Sequence, residues 1–334
     1  MGWQPFFARQ IGIEELDQTP PVRVVEVHRS GLHVLGDDID ELVPPNAEVT
    51  VGDWLLLDRD LPHNSRLLDR KSLVKRRAPG LERQVQLVAA NIDTSFIVTS
   101  CNQDFNVARL ERYIALAFEA EITPVIVLTK TDLAEDADDY VRQAEAISDR
   151  VTVVALNAKS GEPTEKLAPW CAAGQTVAFL GSSGVGKSTL TNALAGSEEV
   201  ATQAIREDDA RGRHTTTRRQ LHLVKGGCLV LDTPGMRELQ MTDSAAGIDE
   251  LFADLFDLST QCRFRDCQHE TEPGCAIRAA MEAGDLDPAR LARWQKLKAE
   301  DAFNTSTLAE RKSKDKALGK TIRQVMKHKK KQKR

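Results

Sequence analysis

No stretch of this 334-residue chain is apolar for long enough to cross a membrane. Its first ten residues, MGWQPFFARQ, lack the apolar core of a signal peptide, so the sequence predicts a cytoplasmic protein with no membrane partner. An overall positive charge is also missing: the net charge is −5. That figure conceals an asymmetry. Twelve of the 45 Lys and Arg, and one of the 50 Asp and Glu, fall between Arg311 and Arg334, so this tail carries +11 and the rest of the chain −16. The mildly acidic total therefore does not exclude a polyanionic partner. Cysteine is scarce, yet three of the six, Cys262, Cys267 and Cys275, lie within 14 residues. In a reducing compartment such crowding points to metal before disulfide. The hydrophobic share of 41% and charged share of 28% suit a soluble globular protein, and the length allows two or three domains.

What is present centres on Gly181-Ser182-Ser183-Gly184-Val185-Gly186-Lys187-Ser188-Thr189, which fits G-x-x-x-x-G-K-[ST]. Thr176–Leu180 before it reads as a buried strand, and Ser188–Leu194 after it as the start of a helix. The glycines let backbone N–H groups turn inward around a polyanion, and the helix N-terminus adds a favourable dipole. Lys187 is expected on the β- and γ-phosphates, and the Ser188 hydroxyl on magnesium. The loop stands past the middle of the chain, an unusual position.

Residues 1–20 give an N-terminal extension with no firm assignment. Alternating runs at Val22–His28, Gly31–Leu35 and Val51–Leu57, separated by turn residues, predict a small OB-like β-barrel, a common nucleic-acid platform. Arg66–Arg83 is basic and contains Pro79-Gly80; it reads as a linker, either a solvated connector or a phosphate contact. Strands at Thr94–Thr99, Thr123–Leu128 and Val151–Ala155 then alternate with helices, the pattern of a mostly parallel sheet covered on both faces.

Two of those strands end in loops that point to guanine. Thr129-Lys130-Thr131-Asp132 is one residue away from the N-K-x-D element of G proteins. Asp132 would accept the N1–H and N2 amine of guanine, a donor pair adenine lacks, and Lys130 would lay its aliphatic stem over the purine. Asn157-Ala158-Lys159 resembles S-A-K, whose backbone N–H faces the guanine O6. Thr129 departs from the usual Asn and is too short both to meet the base and to tie it to the phosphate loop; looser binding is expected.

Beyond the phosphate loop, a polar stretch ends in Gly212-Arg213-His214-Thr215-Thr216-Thr217. A threonine there would join the magnesium shell when triphosphate is bound, and Thr215 and Thr216 are both candidates. The strand Cys228–Leu231 runs into Asp232-Thr233-Pro234-Gly235, where Asp232 would hold magnesium through water and the Gly235 N–H would touch the γ-phosphate. Ras-like enzymes orient the attacking water with a Gln at the next position, but here it is Met236. Its apolar side chain cannot do so; His214 is the candidate replacement.

Cys262-x4-Cys267-x-His269-x5-Cys275 supplies three thiolates and an imidazole, a closed tetrahedral set for one structural zinc ion. The loops follow the order 4-5-1-2-3 of a GTPase, a circular permutation. Together with the barrel and the cysteine module, this order closely resembles the RsgA (YjeQ) family of circularly permuted GTPases. The resemblance covers the chain to about Phe303. It implies a multidomain α/β protein: an OB-like barrel with basic linker (21–80), a permuted P-loop GTPase domain (81–243), a helical zinc-binding module (244–303) and a basic tail (304–334). It further implies a monomeric GTP hydrolase that binds GTP and GDP, is stimulated by the small ribosomal subunit, contacts its rRNA and acts in its late maturation. The alternatives from other classes are a nucleotide-gated RNA-binding scaffold with negligible turnover, and an ATPase. The tail reads as an RNA-binding arm or as a solubilising segment.

Overall fold

Two short helices, α1 (Pro5–Ala8) and α2 (Ile13–Gln18), lead into antiparallel strands in a computed structural model of the chain. The structure describes residues 1–77, 85–195, 220–224, 226–232 and 241–305. β1 (Pro21–His28) pairs with β2 (Gly31–Gly36), which pairs with β3 (Ile39–Val43). β4 (Trp54–Leu56) joins the start of β1 and also pairs with β5 (Arg66–Leu67). Period-two alternation turns Val22, Val24, Leu32, Val34 and Leu55 inward, where they form a core separate from the rest of the molecule. Each such side chain contributes about 1.5–3 kcal/mol through burial.

Two local readings change here. The strand expected over Val51–Leu57 begins only at Trp54. Gly52 has φ +91°, its N–H donates to the Val24 carbonyl, and a Cβ would stand 2.0 Å from the Ala90 carbonyl oxygen. Only glycine fits this turn. The basic stretch read as a connector carries β5 and one strand of a hairpin, β6 (Leu73–Arg77), which pairs with β7 (Val85–Ala90) beyond it.

The α/β part runs β8 (Thr94–Ser100), α3 (Val107–Glu119), β9 (Thr123–Thr129), α4 (Ala137–Glu145), β10 (Thr152–Ala155), α5 (Glu162–Lys166), β11 (Thr176–Leu180), α6 (Lys187–Ala195), β12 (Gln220–Leu223) and β13 (Leu229–Asp232). In space the strands lie in the order β10-β9-β8-β11-β13-β12, all parallel except β12. The order continues through one antiparallel pair, Glu26 opposite Gln220, into β1-β2-β3. A bulge between Val24 and Glu26 bends β1 just before that pair. β11, which leads into the phosphate loop, lies inside the parallel sheet, between the earlier β8 and the later β13. Strand order therefore reverses beside β11, where open α/β sheets hold their ligands. This is the circular permutation expected from the loop order.

The chain forms two units, Met1–Leu239 with Ala246–Phe256, and Gln240–Ala245 with Asp257–Arg334. Among the described residues, four further helices follow the sheet: α7 (Ala245–Leu251), α8 (Ala253–Thr260), α9 (Ala276–Ala283) and α10 (Pro288–Thr305). In the second unit, the Ser244 N–H donates to Asp301 at 2.8 Å and the Asp243 N–H to the Thr305 hydroxyl at 2.9 Å, fastening the entering strand of chain to α10. The basic run Arg311–Arg334 lies outside the described residues.

Candidate functional site

The phosphate loop leaves β11 through Gly181, whose φ of +139° no other residue adopts easily. A Cβ at that position would lie 2.2 Å from the Val98 carbonyl oxygen on β8. Val185 turns into the core beneath the loop, while Ser183, Gly184 and Ser188 face solvent. Lys187 opens α6, and its ammonium donates to the Gly181 carbonyl at 2.8 Å and to the Ser182 carbonyl. The loop thus forms a cup with a cation already folded over it.

Both loops expected to read guanine arrive at this cup because β9 and β10 run parallel to β11 and end on the same edge. A Cβ on Gly186 would stand 3.6 Å from the Thr129 hydroxyl and 3.8 Å from the Ala158 Cβ. Thr129 is fully buried, and its hydroxyl is 2.6 Å from the Val185 carbonyl and 3.2 Å from that of Thr99. A hydroxyl has one proton, so the shorter contact takes it and Thr129 is committed to the phosphate loop. Of the two jobs expected of an Asn here, the structure gives Thr129 the tie. Lys130 adopts φ +58°, and Thr131–Leu133 form a single 3-10 turn with Asp132 exposed. Asn157 accepts the Lys159 N–H at 2.9 Å and donates its own N–H to Glu162 at 3.2 Å, holding the N-A-K turn in shape. The Lys166 ammonium, 2.8 Å away, keeps the Glu162 carboxyl below its ordinary range, so it stays an acceptor.

Asp232 closes β13 on the same edge. His214, Thr215, Thr216, Gly235 and Met236 lie outside the described residues.

Arg109 is a neighbour that motif reading missed. It stands on the first turn of α3, exposed, and donates from Nη1 to the Ser182 hydroxyl. The one sequence signal was its position: an arginine three residues after the N-cap Asn106, where helices favour an acid.

In the second unit, the side-chain donors of Cys262, Cys267, His269 and Cys275 all lie within 4.8 Å of one another. Zn–S bonds of about 2.3 Å and Zn–N bonds of about 2.0 Å set tetrahedral edges of roughly 3.8 Å for S···S and 3.5 Å for S···N. Cys262 Sγ is 3.9 Å from Cys275 Sγ, and the two are 3.6 and 3.4 Å from His269 Nδ1. The donor set fits zinc. Supporting contacts surround it: the Arg278 N–H donates to Cys275 Sγ at 3.4 Å, and Trp294 stacks by His269 with centroids 6.0 Å apart. The Glu272 carboxylate accepts the N–H groups of Gln268, Glu270 and Thr271 at 2.8 to 3.0 Å. These bonds, that from Gln268 foremost, hold its pKa down to about 2. This loop is ordered by polar contacts rather than by burial.

The RsgA GTPase family model matches residues 67–242. The small ribosomal subunit biogenesis GTPase RsgA 2 of Vibrio parahaemolyticus is 49% identical, over 99% of this chain and 93% of its own length. The small ribosomal subunit biogenesis GTPase RsgA of Mesorhizobium japonicum is 53% identical, over 91% of this chain and 90% of its own length. The crystal structure of YjeQ from Thermotoga maritima superposes with a TM-score of 0.61 at 26% identity, covering 83% of this chain and 96% of that one. YloQ, described as a circularly permuted GTPase, shares the fold with a TM-score of 0.57 at 24% identity, over 86% and 96%. An ABC transporter model also matches residues 166–324, a span that includes the phosphate loop but not Thr129–Asp132.

Proposed function

This chain belongs to the RsgA family of small ribosomal subunit biogenesis GTPases, and from that premise we propose how its residues divide the work. It hydrolyses GTP to GDP and phosphate. The observation that carries the assignment of residues is the meeting of three loops around Gly186, where a Cβ built on the glycine would stand 3.6 to 3.8 Å from Thr129 and Ala158. One cup there serves a polyphosphate and a purine at once.

Residues Gly181 to Thr189 wrap the β- and γ-phosphates, with Lys187 as the neutralising cation. Asp132 takes the paired donors of guanine, Lys130 covers the ring, and Asn157–Lys159 meet O6. Ser188 and Asp232 hold magnesium, which when bound neutralises charge on the phosphate oxygens. Ser188 fits that task, as its side chain is exposed at the head of α6 beside Lys187. Thr215 or Thr216 and the Gly235 N–H report the γ-phosphate, and His214 orients the attacking water that Met236 cannot. The Cys262, Cys267, His269 and Cys275 cluster holds one structural zinc.

Domain limits are proposed at 1–20, 21–80, 81–243, 244–303 and 304–334, the second an OB-like platform. Lys75 and Arg76 on β6, with the +11 tail, support contact with the rRNA of the small subunit by counterion release. The protein works in the cytoplasm as a monomer.

Turnover of GTP and ATP with and without purified small subunits tests this reading. GTP hydrolysis alone is expected to be slow, and to rise at least about tenfold on adding subunits. His214→Ala should remove most of that rise while sparing GTP binding. Equal use of ATP would overturn the guanine assignment, and absent stimulation would favour the scaffold. For the metal, one zinc per chain is expected by atomic emission. Chelation should expose the four-residue cluster to thiol reagents and lower the melting temperature. A metal-free protein with the same melting curve would exclude a structural zinc.

A further inference from the structure

We propose that Arg109 is a positioning residue of the nucleotide site, holding the phosphate loop through Ser182 and favouring triphosphate over diphosphate. The inference rests on the assignment of Gly181 to Thr189 as the phosphate cup.

Two cations converge on Ser182. Lys187 takes its backbone carbonyl, and Arg109 takes its side-chain hydroxyl. Lys187 belongs to the motif; Arg109 lies 73 residues earlier, on a different helix. The fold brings them together because β8 is the neighbour of β11, so the helix after β8 starts beside the loop after β11.

Arg109 is also poorly placed for its own helix. It stands at the third helical position, its N–H capped by the Asn106 side chain at 2.9 Å, and the first turn contains no acidic residue. A cation there opposes the helix dipole. A locally unfavourable choice is expected where function requires it. The helix end and the guanidinium together make a positive field beside the exposed residues Ser183 and Gly184.

An added positive charge at this mouth discriminates by ligand charge. GTP carries one more negative charge than GDP, so the arginine stabilises the triphosphate complex more. Because Arg109 is exposed, the effect is screened by salt. The Ser182 contact fixes the loop shape that both nucleotides require.

The test is binding of GDP and of a non-hydrolysable GTP analogue to the full-length protein, at low and moderate salt, for four variants. Arg109→Ala is expected to weaken the analogue about tenfold and GDP about threefold, with an unchanged melting temperature. Arg109→Lys should restore most of the difference between the two ligands, since it keeps the charge. Ser182→Ala should weaken both ligands equally, by about twofold to threefold. Equal losses for analogue and diphosphate in Arg109→Ala, or no loss, overturn the proposal, as does Arg109→Lys behaving like Arg109→Ala. Lys187→Ala separates the phosphate cup from the role of Arg109. If it abolishes binding while Arg109→Ala does nothing, the cup stands and the role of Arg109 falls. If neither variant changes binding, the cup itself is wrong.

Discussion

Lys187→Ala is expected to reduce GTP hydrolysis by at least a hundredfold to a thousandfold, the loss typical of removing one preorganised electrostatic stabiliser. A slow GTPase would then fall below detection even with small subunits present. The ammonium has two roles in the structure. It is the cation inside the cup, and it ties the Gly181 and Ser182 carbonyls to the first turn of α6. Alanine removes both, so nucleotide binding should weaken together with turnover. The fold should survive, because Val185, Leu190 and Leu194, which anchor the loop and α6 in the core, are untouched. Single-turnover hydrolysis with saturating subunits is the measurement, with circular dichroism melting as the control. Turnover within threefold of the parent would remove the phosphate loop from the mechanism.

Arg23→Ala is expected to destabilise the first unit by about 3–5 kcal/mol, the range for breaking a buried charged network. Arg23 is 1% exposed. Its guanidinium donates to the Met1 carbonyl at 2.7 Å, the Thr176 hydroxyl at 2.8 Å, the Asn91 carbonyl at 3.1 Å and the Gly52 carbonyl at 3.3 Å. It also lies over the Trp54 ring, 5.7 Å from the centroid. One side chain therefore joins the N-terminus, the turn before β4, the end of β7 and the start of β11. Burial pushes its pKa down to about 10, with Asp93 and Asp53 pulling the other way, so it remains a cation at neutral pH. Removing it takes a donor from four acceptors, of which the Gly52 carbonyl keeps the Asn91 side-chain amide at 3.0 Å, and opens a volume beside Trp54. Arg23→Lys, which keeps the charge but lacks the fork, should lose about half as much. Urea unfolding followed by tryptophan fluorescence reads both, and a loss under 1 kcal/mol for Arg23→Ala would show that the surrounding groups satisfy one another.

Motifs written in consecutive residues were legible in the sequence. The loop from Gly181 to Thr189, the turns at Thr129–Asp132 and Asn157–Lys159, and the spacing of Cys262, Cys267, His269 and Cys275 each state their chemistry locally. Their order along the chain was enough to imply the permutation, because each loop sits at the end of a strand of a parallel sheet. Composition misled where pattern and context disagree. β3, Ile39–Val43, has exposed Asp40, Glu41 and Leu42 between two buried ends, so no alternation marks it. β6 carries Lys75, Arg76 and Arg77, and charge made it look like a connector; its pairing with β7 is a contact between segments that charge does not signal. Gly52 inside V-G-D-W resembled part of a strand, because a single residue with positive φ leaves no trace in hydropathy.

By itself the sequence determined the GTPase class, the four residues that could hold a metal and the permuted order of the loops, since those depend on residues near one another in the chain. The tertiary structure alone decided that Thr129 spends its hydroxyl on Val185, that Arg109 reaches Ser182, and that Arg23 locks onto Thr176 from 153 positions away. Each is a directional hydrogen bond between groups far apart in sequence. Its existence depends on a few tenths of an ångström of packing that no local pattern encodes.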